Sequence, residues 1–382
     1  VRRISDSTFF VAVNGAGPSP PASGLIDYLV KHHARRLTTV FHPLEPEQDP
    51  HHVVTVYEPG EDPRERRIRL PSRPPFTYVL DPFVPLWPER VDGWFGFNNL
   101  ACARGLLARR LGRADTVVYW AVDFVPNRFG DNILTRAYDR LDALCCRAAD
   151  ARIELSAAAL QGRSDRLGLG PEAAPGHVVP VGAWLDRVAV TPQDGWKARR
   201  VLYVGHLIPR QGVGLLVEAL ELLNRRGVEF EAEIAGSGPQ EEQLRQQAAR
   251  AGLDGKVRFP GFISDQRGVE SFLATGSVAI AAYDPADNVL TQHADPSKLK
   301  AYLAAGLPIV MTALPHNAQE LADRGGAELI PFGAEALADA IERCLSDPGQ
   351  WATRRDSALQ YARSFDWGAL LEKPIRSLGF EA

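Results

Sequence analysis

A chain of 382 residues, 45% hydrophobic and 24% charged, has the composition of a globular protein and the length for two hydrophobic cores. Its net charge of −4 gives no electrostatic reason to expect nucleic acid. No apolar run reaches the roughly 18 residues that span a bilayer, and no signal peptide is expected before Phe9. Cys102, Cys145, Cys146 and Cys344 have no metal-ligand spacing and fit buried thiols in a reducing cytoplasm better than a disulfide framework.

Thr8 to Val13 reads as a buried first strand, followed by NGAGPSPPASG, in which Gly15, Gly17 and Gly24 with three prolines suggest a stiff loop before a helix over Leu25 to Ala34. Leu37 to Phe41 and Val53 to Tyr57 continue the sheet, and Pro59 to Pro75 reads as a surface hairpin or mobile loop. The histidine pairs at 32–33 and 51–52 lack a third ligand and are expected to be exposed. Phe76 to Leu80, Gly93 to Phe97 and Thr116 to Trp120 are further short apolar runs. The helix expected over Leu100 to Leu111 carries Arg104, Arg109 and Arg110. It reads as a solvated basic face, with contact to an anionic membrane or acceptor as the alternative. The strand in VVYWAVDFVPNRFGD runs into Asp123, which reads as a ligand group at a strand end, as a helix cap or as a partner of Arg128. An amphipathic helix over Leu134 to Ala148 and a strand over Ala151 to Leu155 follow, with Ser156 placed to cap the next helix.

From Thr191 to Arg200 the composition turns polar and reads as a linker. Strands then alternate with helices of about ten residues: Val201–Gly205, Glu231–Ala235, Val257–Phe259, Val278–Ala282, Ile309–Thr312 and Glu328–Pro331. That alternation predicts a parallel sheet covered on both faces. YVGHLIPRQGV and IAGSGPQEEQL are strand, glycine turn, helix, in which glycine admits a phosphate to the backbone. Asp295 to Thr312 (DPSKLKAYLAAGLPIVMT) reads as an N-cap at Ser297, a helix closed by Gly306, and a strand after Pro308. It sets Lys298 in the first turn of a helix, a place prepared for an anion.

These motifs resemble the family 4 glycosyltransferases, whose donor segment has the form Lys-x-x-Glu-Tyr-Leu-Ala-Ala-Gly-x-Pro-Val-Val. Lys298, Tyr302, Leu303, Ala304, Ala305, Gly306 and Pro308 match position by position. The resemblance implies the GT-B architecture, α/β with two facing Rossmann-like doubly wound domains and a cleft between them. The expected division is 1–190 for the acceptor-binding domain, 191–200 for the linker and 201–363 for the nucleotide-sugar domain. Residues 364–382 would form a C-terminal helix crossing back to the first domain. It further implies sugar transfer from a nucleotide-diphosphate sugar, a UDP- or GDP-sugar, with retention of configuration. The donor is a co-substrate, and neither a resident cofactor nor a metal is expected.

Site roles follow from the same likeness. Lys298, Arg210 and Asp123 are the expected catalytic residues. Gly15, Gly17, His206, Gln211, Gly236, Gly238, Phe262, Ile263, His293, Asp295, Pro296 and Ser297 are expected at the donor. Asn98, Trp120, Asn127 and Phe129 are acceptor candidates by position, the acceptor being a small molecule, a glycan or a lipid-linked sugar. Asp123 and Pro126 match the family's His-Asp-x-x-Pro, with Val122 replacing the histidine. The family glutamates fall on Ala301 and His293, so the paired-glutamate pattern does not carry over. A nucleotide-sugar epimerase or a catalytically silent sugar-nucleotide binder are the alternatives.

Overall fold

Short apolar strands separated by amphipathic helices assemble into two large sheets and one two-stranded pair in the computed structural model, which describes residues 1–15, 19–43, 49–69, 86–263, 266–287 and 294–382. The chain divides into two compact units, 1–182 with 367–382, and 183–366.

In the first unit the strands are β1 (Arg2–Arg3), β2 (Thr8–Asn14), β3 (Arg36–His42), β4 (His51–Tyr57), β5 (Arg64–Arg69), β6 (Val91–Phe97), β7 (Ala114–Ala121), β8 (Ala151–Glu154) and β9 (Gly176–Val178). Helices α1 (Pro20–Lys31), α2 (Asn99–Arg110), α3 (Ile133–Ala148) and α4 (Ala157–Leu167) lie between them. The main sheet has the order β5-β4-β3-β2-β6-β7-β8-β9. It is parallel except that β4 runs antiparallel to β3 and to β5. The Pro59 to Pro75 stretch thus supplies β5 of a hairpin as far as Arg69, and the apolar run at 76–80 lies outside the described residues. From β2 the chain first builds outward to β5 and then returns to lay β6 on the other side of β2, so the switch point falls between β2 and β6.

Helix α1 begins at Pro20, five residues before the expected start, because Pro is favoured in a first turn. Gly24 is therefore a helix residue. A Cβ there would overlap the ring of Trp367, the first residue of the C-terminal helix Trp367–Ser377. The chain ends in a strand, Phe380–Glu381, paired in parallel with β1. The C-terminal segment is thus part of the first unit's core.

The second unit contains β10 (Arg200–Val204), β11 (Glu231–Ala235), β12 (Val257–Gly261), β13 (Val278–Ala281), β14 (Ile309–Thr312) and β15 (Glu328–Ile330). All pair in parallel, in the order β12-β11-β10-β13-β14-β15. Its helices are α5 (Val213–Arg225), α6 (Glu241–Arg250), α7 (Gln266–Leu273), α8 (Ser297–Ala304), α9 (Ala318–Gly325), α10 (Ala334–Ser346) and α11 (Pro348–Ala362). Apolar residues from β10, β11, β13, α5 and α10 share one core, with Leu216, Leu220, Leu337 and Ile341 fully buried in it. The stretch 191–200 is not a free linker. Thr191 is buried and bonds Ala305 O through both its N–H and its hydroxyl, at 2.8 Å each. Local polarity marked it as solvated, whereas its polar atoms are satisfied inside the second unit.

Candidate functional site

Beyond the carboxyl ends of β10 and β13 the chain departs in opposite directions, which is where doubly wound sheets open a crevice. The paired register of these strands covers only Val201–Leu202 against Val278–Ala279. Past it, Tyr302 of α8 takes up the free backbone groups. Its hydroxyl accepts from Val204 N–H at 3.0 Å and donates to Ile280 O at 3.4 Å. Burial raises the Tyr302 phenol, so it stays neutral and able to do both.

Lys298, one turn before Tyr302, is partly buried at this switch point. Its ammonium lies 4.5 Å from the ring centroids of both Tyr203 and Tyr283, and it donates to Gln211 Oε1 at 2.6 Å. No carboxylate pairs with it among the described residues. Desolvation pushes its pKa down to about 7, and the two ring faces offset part of that cost. A cation held without an anion, beside a helix N-terminus whose first N–H groups have no intrahelical acceptor, is a site for a negatively charged ligand. Helix α8 begins one residue earlier than expected. Pro296 is the cap and makes no side-chain cap bond, its carbonyl instead accepting from Leu299 N–H at 3.2 Å. The Ser297 side chain is thus exposed rather than used as a cap.

Around Lys298 the loops are locked by close backbone approach. Gly212, at φ 67°, caps α5 where a Cβ would overlap Ala282 O. Arg210 O accepts from Asp284 N–H at 3.0 Å, while its guanidinium has no ion pair among the described residues. His206 is exposed, and its carbonyl accepts from the Tyr203 hydroxyl at 2.9 Å. Gly236, at φ 146°, packs on Gly205 O, and Gly238 packs on Leu207, so both hold one loop against the next. Phe262 is exposed and Ile263 half-buried after β12.

Asp295 does not fit the role expected of it. It is buried and pairs with Lys300 Nζ at 2.8 Å, both side chains almost wholly out of solvent. Lys300 also sits 4.0 Å over the ring of Phe365. The helical spacing that sets Lys298 between the two tyrosine rings turns Lys300 inward, and Asp295 neutralises it there. Gly17 and His293 lie outside the described residues.

In the first unit Gly15 and Asn98 follow β2 and β6 and so flank that sheet's switch point. Gly15 N–H donates to His42 O at 2.7 Å. Asn98 is the cap of α2, its side chain accepting from Ala101 N–H at 3.1 Å. Trp120 is fully buried and stacked on Phe97 with centroids 4.9 Å apart, which corrects its reading as an acceptor contact. Because side chains alternate along β7, the indole faces the core. Asp123 pairs with Arg128, while Asn127 and Phe129 are exposed on the following turn.

Two buried polar clusters were not legible in the sequence. His52 is buried, not exposed, with its Nδ1 2.6 Å from Nδ1 of His42. Arg104 is buried too, donating to His42 Nε2 at 3.1 Å and to Leu86 O at 2.9 Å. Desolvation, then the Arg104 charge, lowers His52 to about 4, so the pair is neutral and one ring donates to the other. Arg109, with Arg104 expected on a solvated face, bonds Asp150 at 2.7 Å. The second cluster centres on Arg163, which donates to Glu154 Oε1 at 2.6 Å, to Asp142, and to Asp123 O at 2.5 Å. Tyr119 donates to Asp142 Oδ1 at 2.5 Å. Desolvation raises Glu154 to about 7 although Arg163 opposes it. Ser156 caps α4 as expected, accepting from Ala159 N–H at 2.9 Å.

Residues 198–347, most of the second unit, match the family model described as glycosyl transferases group 1. The lipopolysaccharide core biosynthesis glycosyltransferase LpsE of Rhizobium meliloti is 28% identical over 274 residues, covering 66% of this chain and 73% of that protein. The second unit is thus similar to the group 1 glycosyl transferases. The alpha-D-kanosaminyltransferase of Streptomyces kanamyceticus is 28% identical over 152 residues, 39% of this chain, and the match spans only 36% of that relative. Among solved structures, Anabaena HepE in complex with UDP superimposes with a TM-score of 0.67 at 20% identity, covering 97% of this chain and 99% of that one. Sucrose-phosphate synthase from Thermosynechococcus elongatus gives 0.70 at 16% identity, with 97% and 99% covered. The fold is GT-B, with Rossmann-like α/β domains.

Within this family frame, Tyr203 and Tyr283 are the members of the Lys298 site that sequence reasoning missed. Tyr203 lies near the end of β10 and Tyr283 two residues past β13, each an aromatic in an apolar run, a pattern shared with core tyrosines, and only the fold brings both to one ammonium.

Proposed function

We propose that the protein transfers a sugar from a nucleotide-diphosphate sugar to an acceptor. The observation that carries this reading is Lys298, a partly buried cation at the switch point with two aromatic walls and no carboxylate partner among the described residues. Such a group stabilises a leaving diphosphate more in the transition state than in the ground state, where less charge has developed. Arg210 and the start of α8 add positive potential on the same side. HepE, which shares the fold, is described in complex with UDP and with UDP-glucose, and this supports a UDP-sugar as donor, with a GDP-sugar next.

Finer parts of the proposal are retention of configuration and independence of metal and of any resident cofactor. The departing phosphate oxygen takes the acceptor proton, and Lys298 and Arg210 meet the charge that a metal would otherwise meet. Asp123, held by Arg128, orients the acceptor. A glycan, a small molecule or a lipid-linked sugar fills that role.

The test is a thermal-shift panel of UDP-, GDP-, ADP- and dTDP-sugars against wild type and Lys298→Ala. One nucleotide class should raise the wild-type melting temperature by mass action and lose that effect in the variant. No shift with any of them would overturn the donor reading. Tight binding with neither transfer nor hydrolysis would make the protein a sugar-nucleotide binder, and conversion of donor without acceptor would make it an epimerase.

A further inference from the structure

The outer face of α3 carries an unusual division of side chains. At about 100° per residue, Ile133, Ala137 and Leu144 fall within roughly 40° of one another, with Leu141 and Leu134 continuing the strip. Ile133 is 78% exposed, Leu134 63% and Leu144 53%. Phe129, 49% exposed, stands in the turn that leads into the helix. Arg136, Arg140 and Arg147 form the adjoining strip, also within roughly 40°, and all three are exposed. The opposite face accounts for the packing of the helix, since Thr135, Asp142, Cys145 and Cys146 are buried there.

The charges on this face are one-sided. The two acids of α3 are engaged elsewhere, Asp142 with Tyr119 and Arg163 in the interior and Asp139 with Arg166 at 2.8 Å. Arg147 is shared with Glu172 at 3.2 Å. Neither Arg136 nor Arg140 has a carboxylate partner among the described residues. Asp131, in the preceding turn, is exposed and offsets part of the positive charge at the tip. Single exposed leucines are ordinary on a protein surface, but a strip of them beside unpaired guanidinium groups is the pattern of helices that lie in a membrane interface.

We propose that this face of the first unit docks on an anionic lipid surface. The strip Phe129, Ile133, Leu134 and Leu144 enters the boundary between headgroups and acyl chains, while Arg136, Arg140 and Arg147 meet lipid phosphates. A second copy of the chain is the poorer occupant, because in a two-fold contact it would bring the same three arginines and no helix carboxylate to meet them. A bilayer with acidic headgroups supplies both the apolar phase and the anions. The inference rests on the surface of the first unit and stands apart from the sugar-transfer reading.

The experiment is co-sedimentation of the full chain with phosphatidylcholine vesicles, with and without phosphatidylglycerol, at low and high salt. Wild type should pellet with the phosphatidylglycerol vesicles, and salt should weaken this as it screens the arginines. Ile133→Ser with Leu144→Ser, and separately Arg136→Glu with Arg140→Glu, should each lower partitioning by on the order of tenfold or more. All four positions are exposed, so the melting temperature should stay at the wild-type value. Absence of binding to the acidic vesicles, equal binding to pure phosphatidylcholine, or binding that survives both variants would overturn the proposal. So would a wild-type dimer in light scattering that the serine variant dissolves, which would assign the face to a second copy.

Discussion

The carboxyl ends of the two sheets are furnished in opposite ways. In the first unit the charges near the strand ends are closed on themselves, with Arg163 between Glu154 and Asp142, and Arg104 against the His42–His52 pair. In the second, Lys300 is neutralised by Asp295 while Lys298, two residues away, is left with a glutamine and two ring faces. A satisfied buried charge holds the fold in register, and an unsatisfied one is held ready for a ligand. The contrast between Lys298 and Lys300 within a single helix shows that residue type does not decide which it is; the side of the helix does.

The largest expected effect breaks the closed side of this contrast. Arg163→Met should leave two buried carboxylates without their cation and cost about 3–5 kcal/mol, read from urea unfolding. A loss of well under 1 kcal/mol would mean that Glu154 and Asp142 find water or each other instead, as a Glu154 raised to about 7 allows.

The open side responds differently. Lys298→Ala should lower turnover by on the order of a hundredfold or more without lowering the melting temperature of the ligand-free protein. Retained turnover would remove Lys298 from the mechanism, and a collapse in stability would make it one more structural charge.

A smaller, sharper effect is the pH dependence of the same group. The unfolded chain holds the Lys298 proton up to about 10.5, whereas the native state releases it near 7. Between these values the unfolded state binds more protons, so the penalty that Lys298 imposes on folding is full below pH 7 and is relieved as pH rises toward 10. Lys298→Met should therefore exceed wild type in melting temperature at pH 6 by more than at pH 9. Ligand binding runs the other way, since a diphosphate favours the ammonium form. Nucleotide-sugar affinity should fall as pH rises above 7, with proton uptake detectable by calorimetry in buffers of different ionisation enthalpy. An affinity flat from pH 6 to 9 would place the diphosphate away from Lys298.

Much of this protein is written locally. The alternation of short apolar runs with helical periods gave the strands of the second unit to within a residue or two, because the central strands β13 and β14 are buried throughout and need an unbroken apolar stretch. Lys298 in the first turn of a helix, Ser156 as a cap and the Asp123–Arg128 pair were all legible, since each involves residues a few positions apart. Burial of the lone polar residues was not. His52 and Arg104 are 52 positions apart in sequence and come together on either side of His42 only because β4 runs back along β3 while α2 covers the sheet, and Arg163 finds Glu154 and Asp142 on two other elements. Asp295 looked like a ligand contact for a different reason, since its partner Lys300 is near in sequence and only the packing of α8 shows that this lysine turns inward. Sequence alone determined the elements and the place of Lys298 in the first turn of its helix, for these rest on short-range periodicity and turn chemistry. Tertiary structure decided which charges are neutralised, because that depends on the long-range pairing of elements that local patterns do not encode.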